Sequence, residues 1–263
     1  MRILLSHISF VCLLGTVHAW RLSFGRLRHV ATAIVAATLA WGPPNSHAAI
    51  ELPYNEYAKT YNALDGGQAA EVLGINALRA RAARFATGNV LEVAIGTGLQ
   101  APYYDFSSSG KITAFTGIDQ SPAMLDAARL SPALTLTAPP HLRLLTMDAA
   151  RLDLPDASFD TVVDTFSMCV FPDPPAVLAE MTRVLKPHGT LILLENTIST
   201  DPLLRAVQNA MEPLVTPFSK GCRWNVDVPA LVAEQRSRGA GLEVVDSADE
   251  QMGTFALIVL RKE

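Results

Sequence analysis

Apolar runs of strand length alternate with helix signals from residue 90 to residue 196. That alternation narrows the fold more than any other feature of the chain. The runs are residues 90–94, "KITAFTGID", "LRLLTMDA", "FDTVVDTFSMCVF" and "GTLILLEN". They are nearly continuous in apolar residues, as strands buried on both faces are. Between them lie "SPAMLDAARL", with Ser121 placed as an N-cap and Pro122 in the first turn, and "PPAVLAEMTRVL". Upstream, "YNEYAKTYNALDGG" and "QAAEVLGINALRARAARF" predict two helices. Strands alternating with helices give a parallel sheet covered on both faces, with right-handed crossovers. "LEVVDSA" and "FALIVLRK" add two strands, and the short polar link "DEQMGT" predicts an antiparallel hairpin at the end of the sheet. The expected fold is α/β: a seven-stranded, mostly parallel sheet over residues 50–263, with an insertion at residues 197–241 after the fifth strand.

Residues 1–49 read as a targeting presequence rather than as fold. They hold Arg2, Arg21, Arg26 and Arg28 and no acid. "MRILLSHISFVCLLGTVHAW" has an early arginine, an apolar centre and a Val17-His18-Ala19 cleavage pattern. A second apolar run, residues 30–41, is shorter than the ~20 residues a bilayer takes, and Ser46-His47-Ala48 offers a second cleavage site. The layout resembles a multi-part plastid presequence directed to the stroma or thylakoid. Mitochondrial and secretory destinations are the alternatives. Setting those four arginines aside leaves 17 of the 21 basic residues against 25 acidic ones. An acidic body argues against a nucleic-acid backbone as partner. Beyond the leader only Cys169, Cys222, His141 and His188 remain of their kinds, too few for a disulfide framework, a histidine triad or a zinc site, and no metal is expected.

The stretch "NVLEVAIGTGLQ" ends a buried strand in a glycine turn. Its Gly96-Thr97-Gly98-Leu99-Gln100-Ala101 satisfies the looser dinucleotide fingerprint, so the turn alone leaves that ligand open. No Gly-Lys-Ser/Thr follows, which removes the P-loop. Glu92 beside the turn would repel a pyrophosphate, whereas a cationic ligand bearing an amino acid suits it. The second run ends in Asp119, suited to ribose hydroxyls. The third ends in Met147-Asp148-Ala149, where a carboxylate can accept an adenine amino group. Together these strand ends describe a nucleoside site without a phosphate clamp.

"VLEVAIGTG", "FTGIDQSPAMLDAAR", "MDAARLDLPDASFDTVVDTFSMCVF" and "EMTRVLKPHGTLILLE" resemble, in order and spacing, the class I S-adenosylmethionine-dependent methyltransferases of the type 11 (UbiE-like) group. The resemblance covers about residues 90–196 and implies a Rossmann-like fold with S-adenosylmethionine as cofactor. It implies that Glu92 organises the site near the methionyl ammonium, and that Ala94, Gly96 and Gly98 lie against the cofactor. Asp119 and Gln120 would meet the ribose, and Asp148 and Ala149 the adenine. Met124 would be either a lid on the adenine or a core residue, and Asp164 would point into the cleft. Ala94 departs from the family pattern, which has glycine there; it narrows the room beside the cofactor. Tyr57 and Tyr61 pack the start of the body or cover the cofactor.

The sulfonium that the resemblance implies is already activated, so rate comes from alignment and desolvation. A base is needed only if the acceptor must lose a proton; Asp164 and Tyr61 are the candidates. The expected acceptor is a small, apolar molecule, with peripheral membrane contact. Its pocket is expected in the insertion, which carries Leu204, Met211, Phe218 and Trp224. Tyr57, Cys222, Trp224 and Asn225 are the candidate contacts, against a reading of Trp224 as core. Two rival functions stand beside this one: a protein or RNA methyltransferase, and a non-catalytic assembly factor on the same fold.

Overall fold

The computed structural model describes residues 54–62, 67–136, 139–216, 219 and 221–263. The expected presequence and Phe218 lie outside the described residues. The strands are β1 (Gly88–Val93), β2 (Ile112–Asp119), β3 (Arg143–Thr146), β4 (Phe159–Thr165), β5 (Leu185–Asn196), β6 (Leu242–Glu250) and β7 (Phe255–Lys262). The helices are α1 (Tyr54–Tyr57), α2 (Gly67–Val72), α3 (Ile75–Ala83), α4 (Pro122–Arg129), α5 (Pro132–Thr135), α6 (Pro174–Val184), α7 (Pro202–Val215) and α8 (Val228–Ser237).

One seven-stranded sheet runs β3-β2-β1-β4-β5-β7-β6. Neighbours from β3 to β5 pair in parallel, and β7 is antiparallel to both β5 and β6. The expected sheet and hairpin are therefore present. β1 sits between β2 and β4, so the chain leaves it toward one side and later returns on the other. A crevice opens at such a reversal, at the carboxyl ends of the strands.

Alternate residues of each central strand face opposite layers. Val90, Phe115, Ile192, Leu194 and Leu257 join α3 in one core, while Leu91, Val93, Leu191, Leu193 and Leu260 join α6 and α8 in the other. Burial on both faces is why the strands read as unbroken apolar runs. The sheet edges differ. β3 is short, and β6 is mostly exposed and carries Glu243, Asp246 and Asp249, features that discourage pairing with other chains.

Helix starts follow a local rule legible in sequence. Ser121 Oγ accepts the Met124 N–H at the head of α4, and Asp173, Asp201 and Asp227 do the same for α6, α7 and α8, each with proline in the first turn. Three expected boundaries moved. The first upstream helix stops at Tyr57. The second is divided at Gly74, whose φ of 76° ends α2 before α3 begins. The run "FDTVVDTFSMCVF" leaves the sheet after Thr165, because Phe166 turns to a φ of 59°.

Candidate active site

The glycine turn follows β1 directly. Gly96 and Gly98 take φ of 56° and 81°, conformations open to glycine without strain. Ala94 takes φ 48° as well, so an alanine occupies a left-handed position where a Cβ is disfavoured. Asp119 closes the turn from the end of β2. Its Oδ2 accepts the Gly96 N–H at 2.9 Å, and its Oδ1 accepts the Ser121 N–H at 2.8 Å. One carboxylate thus ties the β1 turn to the head of α4. Burial raises its pKa, and the backbone donors Ser121, Gly96 and Gln120 oppose the rise. Each carboxylate oxygen has a second lone pair, so Asp119 can still take ribose hydroxyls.

β3 ends beside it: the Met147 N–H donates to the Asp119 carbonyl at 3.0 Å. Asp148 is exposed and accepts the Ala150 N–H at 2.9 Å, while Ala149 is buried. Met124 is buried in the first turn of α4. The segment that begins with α1 crosses above these groups. Asn55 Oδ1 accepts the Ser121 hydroxyl at 2.7 Å, and Asn62 accepts the Thr97 hydroxyl. Tyr61 lies over the turn, its Cε1 3.9 Å from where a Cβ on Gly96 would stand. Tyr57 packs edge-on to Tyr54.

Below the turn is a fully buried layer of titratable groups. Glu92, near the end of β1, is 1 % exposed, and burial pushes its carboxyl to a pKa of about 8. The Tyr104 phenol and the Arg79 guanidinium oppose that rise, and the Asp164 carboxyl adds to it. Tyr104 approaches without hydrogen-bond geometry, so Glu92 Oε2 and the phenol oxygen both lack a partner among the described residues. Arg79 reaches in from α3. It stacks on Phe166, with Cζ 4.8 Å from the ring centroid, and donates to Gln100 Oε1 and Thr165 Oγ1 at 3.3 and 3.4 Å.

Asp164 and Glu195, at the ends of β4 and β5, are both fully buried and face each other. Burial raises both carboxyl pKa values, and the neighbouring Asp164 and Cys169 raise Glu195 further. The Ser167 hydroxyl donates to Asp164, and the Met168 N–H to Glu195 Oε2 at 3.1 Å. Asp164 Oδ2 and Glu195 Oε1 have no partner among the described residues. Like carboxyls this close favour holding a proton between them.

Glu92, Ala94, Gly96, Gly98, Asp119, Gln120, Asp164 and Tyr61 are therefore gathered at the carboxyl ends of β1, β2 and β4. The insertion splits. Trp224 is buried and Cys222 abuts Cys169 just past β4, whereas Asn225 lines a separate open recess with Pro174, Pro175 and Leu231. Sequence reasoning passed over Arg79, Gln100, Tyr104 and Glu195. Glu195 carried the same signal as Asp119, an acid ending an apolar run. Arg79 carried another, a cation on the apolar face of α3 with Ile75, Leu78 and Ala82. Among the described residues no group of metal-ligating side chains gathers, and no helix is long and apolar enough to cross a membrane.

Residues 91–193 match the family described as "Methyltransferase domain". The chain is 35% identical over 166 residues to a phosphatidylethanolamine N-methyltransferase of Cereibacter sphaeroides, covering 63% of this chain and 75% of that protein. It is 43% identical over 110 residues to a demethylmenaquinone methyltransferase of Deinococcus radiodurans, covering 40% of this chain and 42% of that one. A mitochondrial methyltransferase of Saccharomyces cerevisiae, OMS1, is 26% identical over 80% of this chain, which spans 44% of it. Among solved structures, a SAM-dependent methyltransferase of Thermotoga maritima, a possible histamine N-methyltransferase, shares the fold with a TM-score of 0.55 at 22% identity, over 80% of this chain and 99% of that one.

Proposed function

Because the chain belongs to the class I S-adenosylmethionine-dependent methyltransferases of type 11, we propose that it moves the methyl group of S-adenosylmethionine to a small, apolar or amphipathic acceptor that approaches along the insertion. The observation that carries the reading is the Asp119 bridge between the Gly96 and Ser121 N–H groups. It puts a hydroxyl acceptor, a glycine turn and the head of a helix in one place. When bound, the cofactor supplies an electrophilic methyl group on a sulfonium. Asp119 would hold the ribose, Asp148 would accept from the adenine, and the Gly96–Gly98 backbone would lie against the methionyl part. Glu92, which keeps its proton without ligand, would release it to answer the methionyl ammonium. Asp164, backed by Ser167 and Glu195, receives a proton where the acceptor has one to lose.

Two observations support an amphipathic acceptor. The relatives named above include a phosphatidylethanolamine N-methyltransferase and a demethylmenaquinone methyltransferase. Within the insertion, α7 shows Leu203, Val207 and Leu214 to solvent at 76, 42 and 42 % exposure. Those positions lie on one helical stripe, which supports peripheral contact with a lipid surface. We also read residues 1–49 as an address removed before the protein works, for a plastid; the yeast relative supports the mitochondrial alternative.

Calorimetric titration of the protein with S-adenosylhomocysteine tests the cofactor site. One site is expected, with Asp119→Ala weakening it at least tenfold, about 1.4 kcal/mol. Incubation with methyl-labelled cofactor and an organelle lipid extract tests the acceptor, and label is expected in the lipid fraction. Folded protein that binds no S-adenosylhomocysteine would overturn the reading. Binding without transfer to lipid, quinone, protein or RNA would move it to the assembly factor.

A further inference from the structure

Two thiols that stand 53 positions apart in sequence meet at the acceptor side of the sheet. Cys169 follows β4 and Cys222 follows α7, and their Sγ atoms are 2.7 Å apart. That is closer than two unbonded thiols rest and within about 0.7 Å of a disulfide bond. The backbone around them is already docked. The Arg223 N–H donates to the Cys169 carbonyl at 3.0 Å, and the Arg223 guanidinium donates to the Phe171 carbonyl at 2.6 Å. Their exposures differ: Cys169 is 2 % exposed and Cys222 is half-buried.

We propose that Cys169 and Cys222 form a reversible dithiol–disulfide pair, oxidised by a low-molecular-weight disulfide such as oxidised glutathione, which fastens the insertion to the carboxyl edge of β4. The inference stands on the thiol geometry and goes beyond the methyl-transfer reading. Cys222, the accessible thiol, loses its proton and attacks one sulfur of glutathione disulfide. That S–S bond breaks, and the departing glutathione thiolate takes up a proton. Cys169 then gives up its proton and attacks Cys222 Sγ, releasing the second glutathione as a thiol. The protein loses two electrons and two protons, and one glutathione disulfide becomes two glutathione molecules.

The order of attack follows from surroundings. The hydrogen bond with Cys222, burial and the nearby Asp164 carboxyl together hold the Cys169 thiol well above its ordinary pKa, with only Asn196 opposing them. A thiol that keeps its proton is a poor first nucleophile. Cys169 is suited to the second step, where its target is held against it. The bond would restrain what lies between: α6, β5 and α7.

The test equilibrates the full chain in glutathione buffers of rising oxidised-to-reduced ratio, quenches with acid, alkylates free thiols and maps peptides by mass. The expected result is a Cys169–Cys222 cross-link within one chain that vanishes on reduction, with Cys12 excluded by a Cys12→Ser control. The oxidised form should melt roughly 5 °C higher, because the bond closes a long loop. In Cys169→Ser, Cys222 should stop as a glutathione adduct. In Cys222→Ser, where folding is less at risk because the site is half-buried, Cys169 should stay unmodified. Free alkylation of both thiols at the most oxidising ratio, a bond between chains, or an adduct on Cys169 in Cys222→Ser would overturn the proposal. None of these readouts needs a methyl acceptor, so their failure is distinct from failure of methyl transfer.

Discussion

Between the ordinary carboxyl pKa of 4.5 and about 8, folded Glu92 keeps a proton that the unfolded chain releases. The unfolded state therefore binds fewer protons in that window, and stability must fall as pH rises through it. The slope approaches roughly 1.4 kcal/mol per pH unit for one such group. Asp164 and Glu195 act in the same direction. Urea midpoints should drop from about pH 5 to about pH 8, and Glu92→Gln should flatten part of the drop. A midpoint rising across that interval would contradict the buried, protonated carboxyl. Asp119 was legible in the sequence because an acid ending an apolar run, about 20 residues past a glycine turn, is a pattern with a mechanism. The backbone of Ala94 was not. The sequence displays an alanine beside the glycine turn, but only the fold shows that it takes a left-handed φ. Arg79 was missed for a related reason: a charged residue in a helix reads as solvent-facing until the strand beneath it is known.

Gln208 is the single buried residue of α7, and it serves three backbone groups at once. Its Oε1 accepts the Ser199 N–H at 2.7 Å, and its Nε2 donates to the carbonyls of Thr197 and Trp224 at 3.2 and 3.0 Å. The inward face of α7 thus combines this polar contact with Leu204, packed partly buried against the core, while Leu203, Val207 and Leu214 form a second apolar stripe that faces outward. Gln208→Ala would strand those groups and should destabilise the protein by roughly 3 kcal/mol. Hydrogen exchange should speed up in α7 and around Trp224 while β1 and β4 stay protected. Uniform loosening of the sheet would refute this local role. Strands and helix starts were legible at this scale because serine or aspartate before proline is a local signal. The end of β4 was not, since the apolar run continues past Thr165 and only the fold shows Phe166 turning to a positive φ.

β7 pairs with β5 on one side and β6 on the other, and it is the last of the seven strands to be made. Until it arrives, β5 has an open edge and β6 has no neighbour in the sheet. Removing residues 255–263 should therefore abolish cooperative unfolding rather than trim the sheet, a loss visible in a melt followed by circular dichroism. A truncated chain with a sharp transition would show that five parallel strands suffice. The parallel sheet and its closing hairpin were legible from alternating strands and helices; the strand order was not, since that alternation does not say on which side of β1 each later strand is laid. The late arrival of β7 also bears on handling during synthesis: until β7 pairs, β5 presents a bare row of backbone donors and acceptors to any other extended chain.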